Sequence, residues 1–295
     1  MALSAQISKF QEMYDNSQNI VFFGGAGVST ESGIPDFRSQ DGLYQQQWKY
    51  PPETIISRSF FDHNPVEFYR FYREKLIIKG VEPNKAHIAL AEMEKAGKLK
   101  AVVTQNIDGL HQKAGSKNVY ELHGSTLRNY CMQCGEFYDD TFISESINSE
   151  SKLPECKKCG GLVKPDVVLY EEGLDDNIVT GAIQAISAAD MLIIGGTSLV
   201  VYPAAGLINY FKGKYLVLIN KSETSTDKNA DLVIHDSIGK VLGSLKIWQN
   251  EILGFSTWFQ NDFYKKLIEL IKYKKKERDW QYFHNANKFY TVLNL

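Results

Sequence analysis

The sequence lacks the features that mark membrane-spanning and strongly charged proteins. No run of about 18 apolar residues occurs, so we expect no transmembrane segment and no membrane partner. The first residues contain no basic head followed by an apolar core and resemble an amphipathic helix, so no signal peptide is expected either. The net charge is only −2. A cytoplasmic location is therefore the default expectation.

Cysteine is scarce, and its four residues are confined to one short part of the chain. Cys131 and Cys134 form one C-x-x-C pair, and Cys156 and Cys159 form a second pair. This spacing is close to that of four-cysteine zinc sites, with disulfides, a redox pair or unrelated buried cysteines as the alternatives. Four thiolates fill a tetrahedral shell, so we expect one structural zinc ion. The module interrupts the surrounding pattern and predicts a small inserted lobe at about 127–164.

The glycine turn at residues 24–30 lacks part of the usual dinucleotide fingerprint. A short apolar run at residues 20–23 predicts a buried strand, which leads directly into this turn. Glycine N–H groups can approach a diphosphate closely, and a following helix start adds a positive dipole end. However, Thr30 replaces the third glycine, and no acidic residue ends a second strand at the expected distance. We predict a nucleotide site, with a purely structural turn as the alternative, and disfavour an ordinary dehydrogenase.

Short apolar runs alternate with helical patterns along the remaining chain. This alternation predicts an α/β fold with a doubly wound, parallel, Rossmann-like sheet whose carboxyl edge binds the ligand. A partly helical, aromatic-rich segment occupies about 41–82, and Asn84 is expected to cap a helix at 87–95. Five predicted strands end in small or polar residues, which are Gly25, Gln105, Gly196, Asn220 and His235.

The last part of the chain, 246–295, is rich in aromatic and basic residues and has an amphipathic helical pattern. It is expected to form a helical extension that packs on the body and leaves a solvated basic end. A lid, a dimer contact or a partner-docking arm are the alternatives, so an oligomer through this extension is possible. Nucleic acid is an unlikely partner, because a single basic run is usually only solvated.

Seven motifs occur in the order found in the sirtuins, which are NAD-dependent protein lysine deacylases. These motifs are GAGVSTESGIPDFRS, TQNIDGLH, ELHGS, the paired cysteines, PDVVLY, GGTSLVVYPAAGL and LVIHD. The chain resembles zinc-containing, bacterial-like members of this family over residues 10 to about 245. The resemblance implies a catalytic domain at 1–245 with 246–295 as an extra segment. It also implies that NAD is consumed as a co-substrate, giving nicotinamide, O-acyl-ADP-ribose and free lysine on an acylated protein or peptide.

The resemblance also implies roles for individual residues. His123 matches the catalytic base, and Asn106 would orient water or hydroxyl groups. Tyr72, Val168, Tyr170 and Val201 would contact the acyl-lysine substrate. The implied NAD-binding residues are Gly25, Ala26, Gly27, Ser29, Asp36, Phe37, Arg38, Gln105, Asn106, Ile107, Asp108, Gly195, Thr197, Ser198, Asn220 and Asp236.

Two places depart from the sirtuin pattern. Glu171 stands where the family usually has glycine, so a side chain is expected where the peptide backbone should pair. Tyr72 and Lys75 occupy the register of the Tyr and Arg that favour acidic acyl groups, but lysine lacks the bidentate fork of arginine. Deacetylation is therefore the first expectation. A protein mono-ADP-ribosyltransferase, suggested by Glu171, and an NAD-sensing module without turnover are the alternatives.

Overall fold

The computed structural model describes residues 2–39 and 42–247, all of which belong to the first of two units of the chain, Met1–Gln249. Except for its first two residues, the predicted extension at 246–295 lies outside the described residues. The strands within these ranges are β1 (Ile20–Gly24), β2 (Leu99–Thr104), β3 (Val119–Glu121), β4 (Gly124–Cys131), β5 (Phe137–Tyr138), β6 (Val163–Val167), β7 (Met191–Gly195), β8 (Tyr215–Ile219) and β9 (Leu232–Ile234). The α-helices are α1 (Leu3–Asp15), α2 (Pro52–Ile55), α3 (Arg58–His63), α4 (Pro65–Phe71), α5 (Lys85–Lys95), α6 (Leu110–Ala114), α7 (Asp140–Glu145), α8 (Asp176–Ala188) and α9 (Ile238–Leu242). Across the described ranges, no helix combines the length and the hydropathy needed to cross a membrane.

The larger sheet has six parallel strands in the order β3-β2-β1-β7-β8-β9. The chain builds outward from β1 to β3 on one side and from β7 to β9 on the other. The direction of winding therefore changes between β1 and β7, where Gly24 pairs with Gly195. Ligands bind at the carboxyl ends of strands at such a switch point. The predicted doubly wound parallel sheet is confirmed.

Both faces of this sheet are covered, because successive strand residues point to opposite sides. Phe22 packs on one face with Phe10 of α1 and Leu90 of α5. Phe23 packs on the other face with Ile186 of α8. The central strands β1 and β7 are consequently buried and apolar at every position, which is typical of parallel sheets. Polar residues follow the carboxyl ends of the strands, so candidate binding residues concentrate at that edge.

The smaller lobe is built from two separate parts of the chain. Its antiparallel sheet has the order β5-β4-β6, and helices α3 and α4 pack against it through Phe61 and Phe68. The sheet extends from Gly124 to Val167, so the predicted insertion at 127–164 omitted the outer ends of β4 and β6. It also omitted the two helices, which cover an apolar face that a three-stranded sheet leaves open.

A fourth group of apolar residues includes residues of the α4 region and of the segment that follows the glycine turn. Its buried members are Leu43, Ile55 and Phe71, and Phe37 and Trp48 pack against them. The Trp48 ring meets the Phe71 ring edge-on, with centroids 5.2 Å apart. We call these five residues the Trp48 cluster. It connects the α4 region to a residue predicted to bind NAD.

Helix α5 begins earlier than the sequence predicted. Asn84 accepts a hydrogen bond from the Ala86 amide at 2.8 Å, as expected of its cap. The backbone N–H of Asn84 in turn donates to His87 Nδ1 at 3.2 Å, which completes a reciprocal capping box. Because His87 is the third helical residue and not the first, α5 starts at Lys85.

Candidate active site

A cavity of about 1210 Å³ lies at the carboxyl ends of the central strands and extends to the smaller lobe. It is lined by His123 and by all of the predicted NAD and substrate residues except Gly195 and Tyr72. The fold thus brings together residues from seven separate loops. The individual roles of these residues stay predictions, but the structure places them around one space.

Two glycine loops form one wall of this cavity. The Gly27 amide donates to the Gly196 carbonyl at 2.8 Å, and the Gly25 amide donates to the Gly195 carbonyl at 3.3 Å. A Cβ atom added at Gly27 would lie 2.8 Å from Gly196 Cα, closer than packed carbon atoms approach. Residue 27 must therefore be glycine for the loops after β1 and β7 to meet. The turn continues as the short 3-10 helix Ala26–Val28.

A polar network connects the loops after β1, β2 and β7. Ser29 donates from Oγ to Asp108 Oδ2 at 2.6 Å, and it accepts from Asn106 Nδ2 at 3.0 Å. Gln105 donates from Nε2 to Thr197 Oγ1 at 3.1 Å. Ser29 and Asn106 are both buried. These bonds hold polar side chains from three strand ends in fixed positions before any ligand arrives.

His123 lies between β3 and β4 and faces the cavity. Its Nδ1 atom is 2.9 Å from the Gln105 carbonyl oxygen, which can only accept a hydrogen bond. Nδ1 therefore carries the hydrogen, and Nε2 keeps a lone pair. Burial lowers the pKa of His123, although the bond to Gln105 opposes this shift. The imidazole is consequently neutral at neutral pH and able to accept a proton.

The loop after the glycine turn carries an aromatic and a cationic side chain to the cavity. Asp36 Oδ1 accepts from the Arg38 amide at 3.0 Å. The Phe37 and Tyr44 rings meet edge-on at 5.6 Å, and the Arg38 guanidinium lies 5.2 Å from the Tyr44 ring centroid. Tyr44 was not predicted, since no motif marks it. Burial and its 2.8 Å hydrogen bond to the Tyr170 hydroxyl raise the pKa of Tyr44.

The opposite side of the cavity is an exposed groove between two loops. The Val168 amide donates to the His123 carbonyl at 3.0 Å, and the Tyr170 amide donates to the Ile56 carbonyl at 3.0 Å. Val201 belongs to the facing loop, where Tyr202 is 73% exposed.

Glu171 does not behave as the sequence suggested. Its φ angle is 76°, so its backbone keeps the conformation that favours glycine. Its carboxylate accepts from the Ser59 amide at 2.8 Å and from Ser59 Oγ at 3.0 Å, at the beginning of α3. The carboxylate is therefore held by α3. The expectation that Glu171 obstructs peptide pairing loses its basis, as does the argument it gave for a transferase.

Gly195 and Tyr72 do not line the cavity. Gly195 is the buried last residue of β7, where an added Cβ would lie 2.2 Å from Ile238 Cδ1, so it serves packing. Tyr72 is fully buried and stacks on Phe68 with ring centroids 5.5 Å apart. Burial raises its pKa well above the usual value. The assignment of Tyr72 to the substrate is therefore corrected, whereas Lys75 does line the cavity.

The four cysteines form a compact group in the smaller lobe. All of their sulfur atoms lie within 4.8 Å of one another, and the Cys131 to Cys159 and Cys134 to Cys156 distances are 3.4 and 3.6 Å. Tetrahedral zinc with Zn–S bonds of about 2.3 Å requires sulfur atoms about 3.8 Å apart. The predicted grouping is confirmed, and its four thiolates fit a closed zinc shell.

Comparisons with known proteins agree with this geometry. The sequence model of the Sir2 family matches residues 25–203. An NAD-dependent protein deacetylase of Clostridium perfringens is 67% identical over 243 residues, which cover 81% of this chain and 98% of that protein. A solved Sir2 complex with a p53 peptide and NAD⁺ is 38% identical, with a TM-score of 0.72, and covers 80% of this chain and 95% of its own. A Sir2 variant with a deacetylated p53 peptide and 3′-O-acetyl-ADP-ribose has the same identity and coverage and a TM-score of 0.74.

Proposed function

Since this chain belongs to the Sir2 family, we propose that it is an NAD-dependent protein deacetylase. It removes acetyl groups from lysine side chains and yields nicotinamide, O-acetyl-ADP-ribose and free lysine. One observation supports this proposed function most strongly. A neutral histidine with a free Nε2 lies in the same cavity as two glycine loops suited to a diphosphate. That combination suits a reaction that consumes the dinucleotide, and it is not the arrangement expected of an enzyme that transfers hydride to or from it.

The glycine loops and the polar network bind NAD. The loop that contains Gly25 and Gly27 lines the cavity, and glycine permits close approach of the diphosphate to its backbone. Gln105, Asn106 and Asp108 hold the nicotinamide ribose and carboxamide, while Asn220 and Asp236 line the adenosine end of the cavity. NAD supplies a nicotinamide leaving group and the ribose that takes the acetyl group. The chain itself supplies orientation and exclusion of water.

His123 acts as a general base. Its Nε2 accepts a proton from a ribose hydroxyl, which makes that oxygen a better nucleophile toward the acyl carbon. The Nδ1 hydrogen bond to Gln105 fixes both the tautomer and the direction of Nε2. Asn106 has no basic group, so it orients hydroxyls or water without competing for the proton.

The acetylated lysine peptide binds in the groove between Tyr170 and Val201. A peptide in extended form pairs through its backbone with both flanking loops, and the acyl-lysine side chain enters toward His123. This mode depends little on the other peptide side chains. The groove therefore accepts acetylated segments of folded proteins wherever they are extended and exposed.

One zinc ion joins the two cysteine pairs. Cys131, Cys134, Cys156 and Cys159 would hold it, with no position left for a substrate. Zinc therefore stabilises the smaller lobe and takes no part in the chemistry. A site of four thiolates is best preserved in a reducing compartment, which supports a cytoplasmic location. Fractionation of cells tests that location.

The reaction is tested with purified protein, NAD and an acetyl-lysine peptide. Mass spectrometry should detect O-acetyl-ADP-ribose and deacetylated peptide in equal amounts, with nicotinamide released. Nicotinamide together with ADP-ribosylated protein would instead identify a transferase. Binding of NAD without any turnover would identify a sensor. Either of these two results would refute the proposed deacetylase.

We propose that the catalytic domain spans 1–245 and that 246–295 is an added segment outside it. A chain ending at Ile247 should retain deacetylation, because the described part of the chain contains every residue assigned to the reaction. Activity and molecular mass of the two chains test this division. Loss of activity on truncation would contradict it, and an unchanged number of chains per particle would exclude an oligomer through the extension.

A further inference from the structure

His123 lies at the junction between the two sheets. Strand β3 of the larger sheet ends at Glu121, and β4 of the smaller sheet begins at Gly124. Only Leu122 and His123 lie between them. The position of the His123 backbone therefore depends on how these two strands are held relative to each other, whereas Gln105 fixes the direction of the ring.

One arginine joins the two sheets beside this junction. Arg128 of β4 donates from Nη1 to Glu121 Oε2 at 2.7 Å. It also donates from Nε to Asp166 Oδ2 at 2.8 Å. Glu121 is the last residue of β3, and Asp166 belongs to β6 of the smaller sheet. A single side chain of β4, the strand that follows His123, thus contacts both the end of β3, which precedes His123, and β6.

An irregularity in β4 makes this contact possible. Ser125 pairs with Asp166, but Asn129 already pairs with Pro165, so residues 126–128 bulge out of the ladder. A regular strand would place the seventh residue after Glu121 roughly 23 Å away. The bulge and the turn at Gly124 return Arg128 to Glu121. Bulges of this kind commonly re-aim a side chain next to an active site.

The same junction is tightly packed along its backbone. Gly124 has a φ angle of 74°, and an added Cβ would lie only 1.9 Å from the Asp166 carbonyl oxygen. The Thr126 amide in the bulge donates to the Ile107 carbonyl at 2.9 Å, which ties the bulge to a loop lining the cavity. Strand β6, which contains Asp166, therefore packs directly against Gly124, the residue that follows His123.

The two ion pairs of Arg128 differ in how far they are removed from solvent. The Glu121 side chain is only 9% exposed, whereas those of Arg128 and Asp166 are 38% and 42% exposed. A carboxylate removed from water needs a charged partner, so Glu121 depends strongly on Arg128. The more exposed pair with Asp166 is screened by solvent and mainly sets geometry. A planar guanidinium donates to both carboxylates from a rigid fork, whereas an ammonium group lacks that fixed geometry.

We propose that Arg128 is a positioning residue that fixes His123 for proton transfer by joining Glu121 to Asp166 across the junction. This inference rests on the proposed deacetylation, in which His123 is the base. Arg128 itself is not among the described residues that line the cavity. It acts through the backbone on either side of His123. A displacement of about 1 Å at a reacting group can slow a reaction about a hundredfold.

The test compares Arg128→Ala, Arg128→Lys and Glu121→Gln with the full-length wild type. We expect Arg128→Ala to lower kcat for deacetylation about tenfold or more, with the NAD dissociation constant and the zinc content per chain unchanged. Arg128→Lys should recover part of kcat, because it keeps one ion pair. Lys113→Ala is the control, since Lys113 forms an exposed ion pair with Glu82, and it should retain wild-type kcat.

Several results would overturn this role. An active wild type with a kcat for Arg128→Ala within twofold of its own refutes the positioning role and leaves the proposed function intact. A parallel loss of kcat, NAD binding and zinc in Arg128→Lys would show a purely structural role. If Arg128→Ala fails to fold, Glu121→Gln decides by the same kcat criterion. An inactive wild type would refute the proposed function, and this role with it.

Discussion

Single residues at this site work through hydrogen bonds that fix which atoms can react. Gln105 illustrates the point, since its carbonyl sets the tautomer of His123 while its side chain reaches Thr197 of a different loop. One residue thus couples the base to the wall of the cofactor cavity. The sequence predicted that Gln105 and His123 belong to the same site. It could not predict their direct contact, which depends on strands β2 and β3 lying side by side.

Replacement of the base should separate catalysis from binding. In His123→Ala, deacetylation is expected to fall at least about a hundredfold, because proton transfer by a placed base contributes about that much. NAD binding should remain within about threefold, since the glycine loops are untouched. Calorimetry measures the binding, and product formation measures the rate. Retention of full activity would remove His123 from the reaction.

Residues that the sequence motifs missed or misplaced share a physical cause. Tyr72 fits a substrate motif by spacing, yet it lies on the helix face that also buries Phe68. Burial of an aromatic ring in a core outweighs a local motif, because the stabilisation scales with the apolar area removed from water. Tyr44 and Arg128 were missed because their partners, Tyr170 and Glu121, are fixed only by tertiary structure.

At the scale of elements, the cavity depends on two loops that approach through glycine. Several strand ends of the larger sheet were predictable: β7, β8 and β9 end one residue before Gly196, Asn220 and His235, because continuous apolar runs stop there at small or polar residues. The smaller lobe was less predictable, since its sheet is covered by helices from a distant part of the chain. Contacts between parts of the chain that are far apart in sequence leave no recognisable hydrophobic pattern in either part.

The contact between the glycine loops should be sensitive to a single methyl group. In Gly27→Ala, the added Cβ must push Gly196 away, so the wall of the cavity opens. We expect NAD affinity to fall about tenfold or more, equivalent to about 1.4 kcal/mol. Isothermal titration with NAD measures this change.

A control exists for that substitution. At Gly173, an added Cβ would meet no atom within 4 Å, so Gly173→Ala should bind NAD like the wild type. Thermal unfolding establishes that both variants are folded. Equal NAD affinity of Gly27→Ala and the wild type would show that the loops tolerate separation and that their contact is not needed for binding.

At the scale of the whole molecule, the core beneath the site contains two histidines. His87 and His111 are fully or almost fully buried, with ring centroids 4.8 Å apart. Burial lowers the pKa of His111 to about 3 and that of His87 to about 4, although Asp108 raises the latter. Both rings are therefore neutral in the folded protein and charged in the unfolded chain below about pH 6.5.

Stability should consequently fall as the pH is lowered. Below pH 6.5 the unfolded chain binds protons that the folded protein cannot, so each histidine costs roughly 2 kcal/mol between pH 7 and pH 5. Urea unfolding at the two pH values measures this loss. His111→Leu removes one of the two buried histidines and should therefore reduce the loss of stability between the two pH values by about half. His63→Gln, which changes an exposed histidine, should leave that loss as it is in the wild type. An unchanged difference in His111→Leu would refute this origin.

The Trp48 cluster contains an intrinsic fluorophore whose emission can report NAD binding. The sequence contains four tryptophans, and a chain ending at Ile247 keeps Trp48 alone, since the others are Trp248, Trp258 and Trp280. Its indole lies against Phe71 and beneath the Arg70 guanidinium, whose carbon is 4.9 Å from the ring centroid. Because Phe37 of the cofactor cavity packs in the same cluster, arrival of NAD should alter the intrinsic emission of Trp48. Ligand occupancy can then be followed in real time without any label.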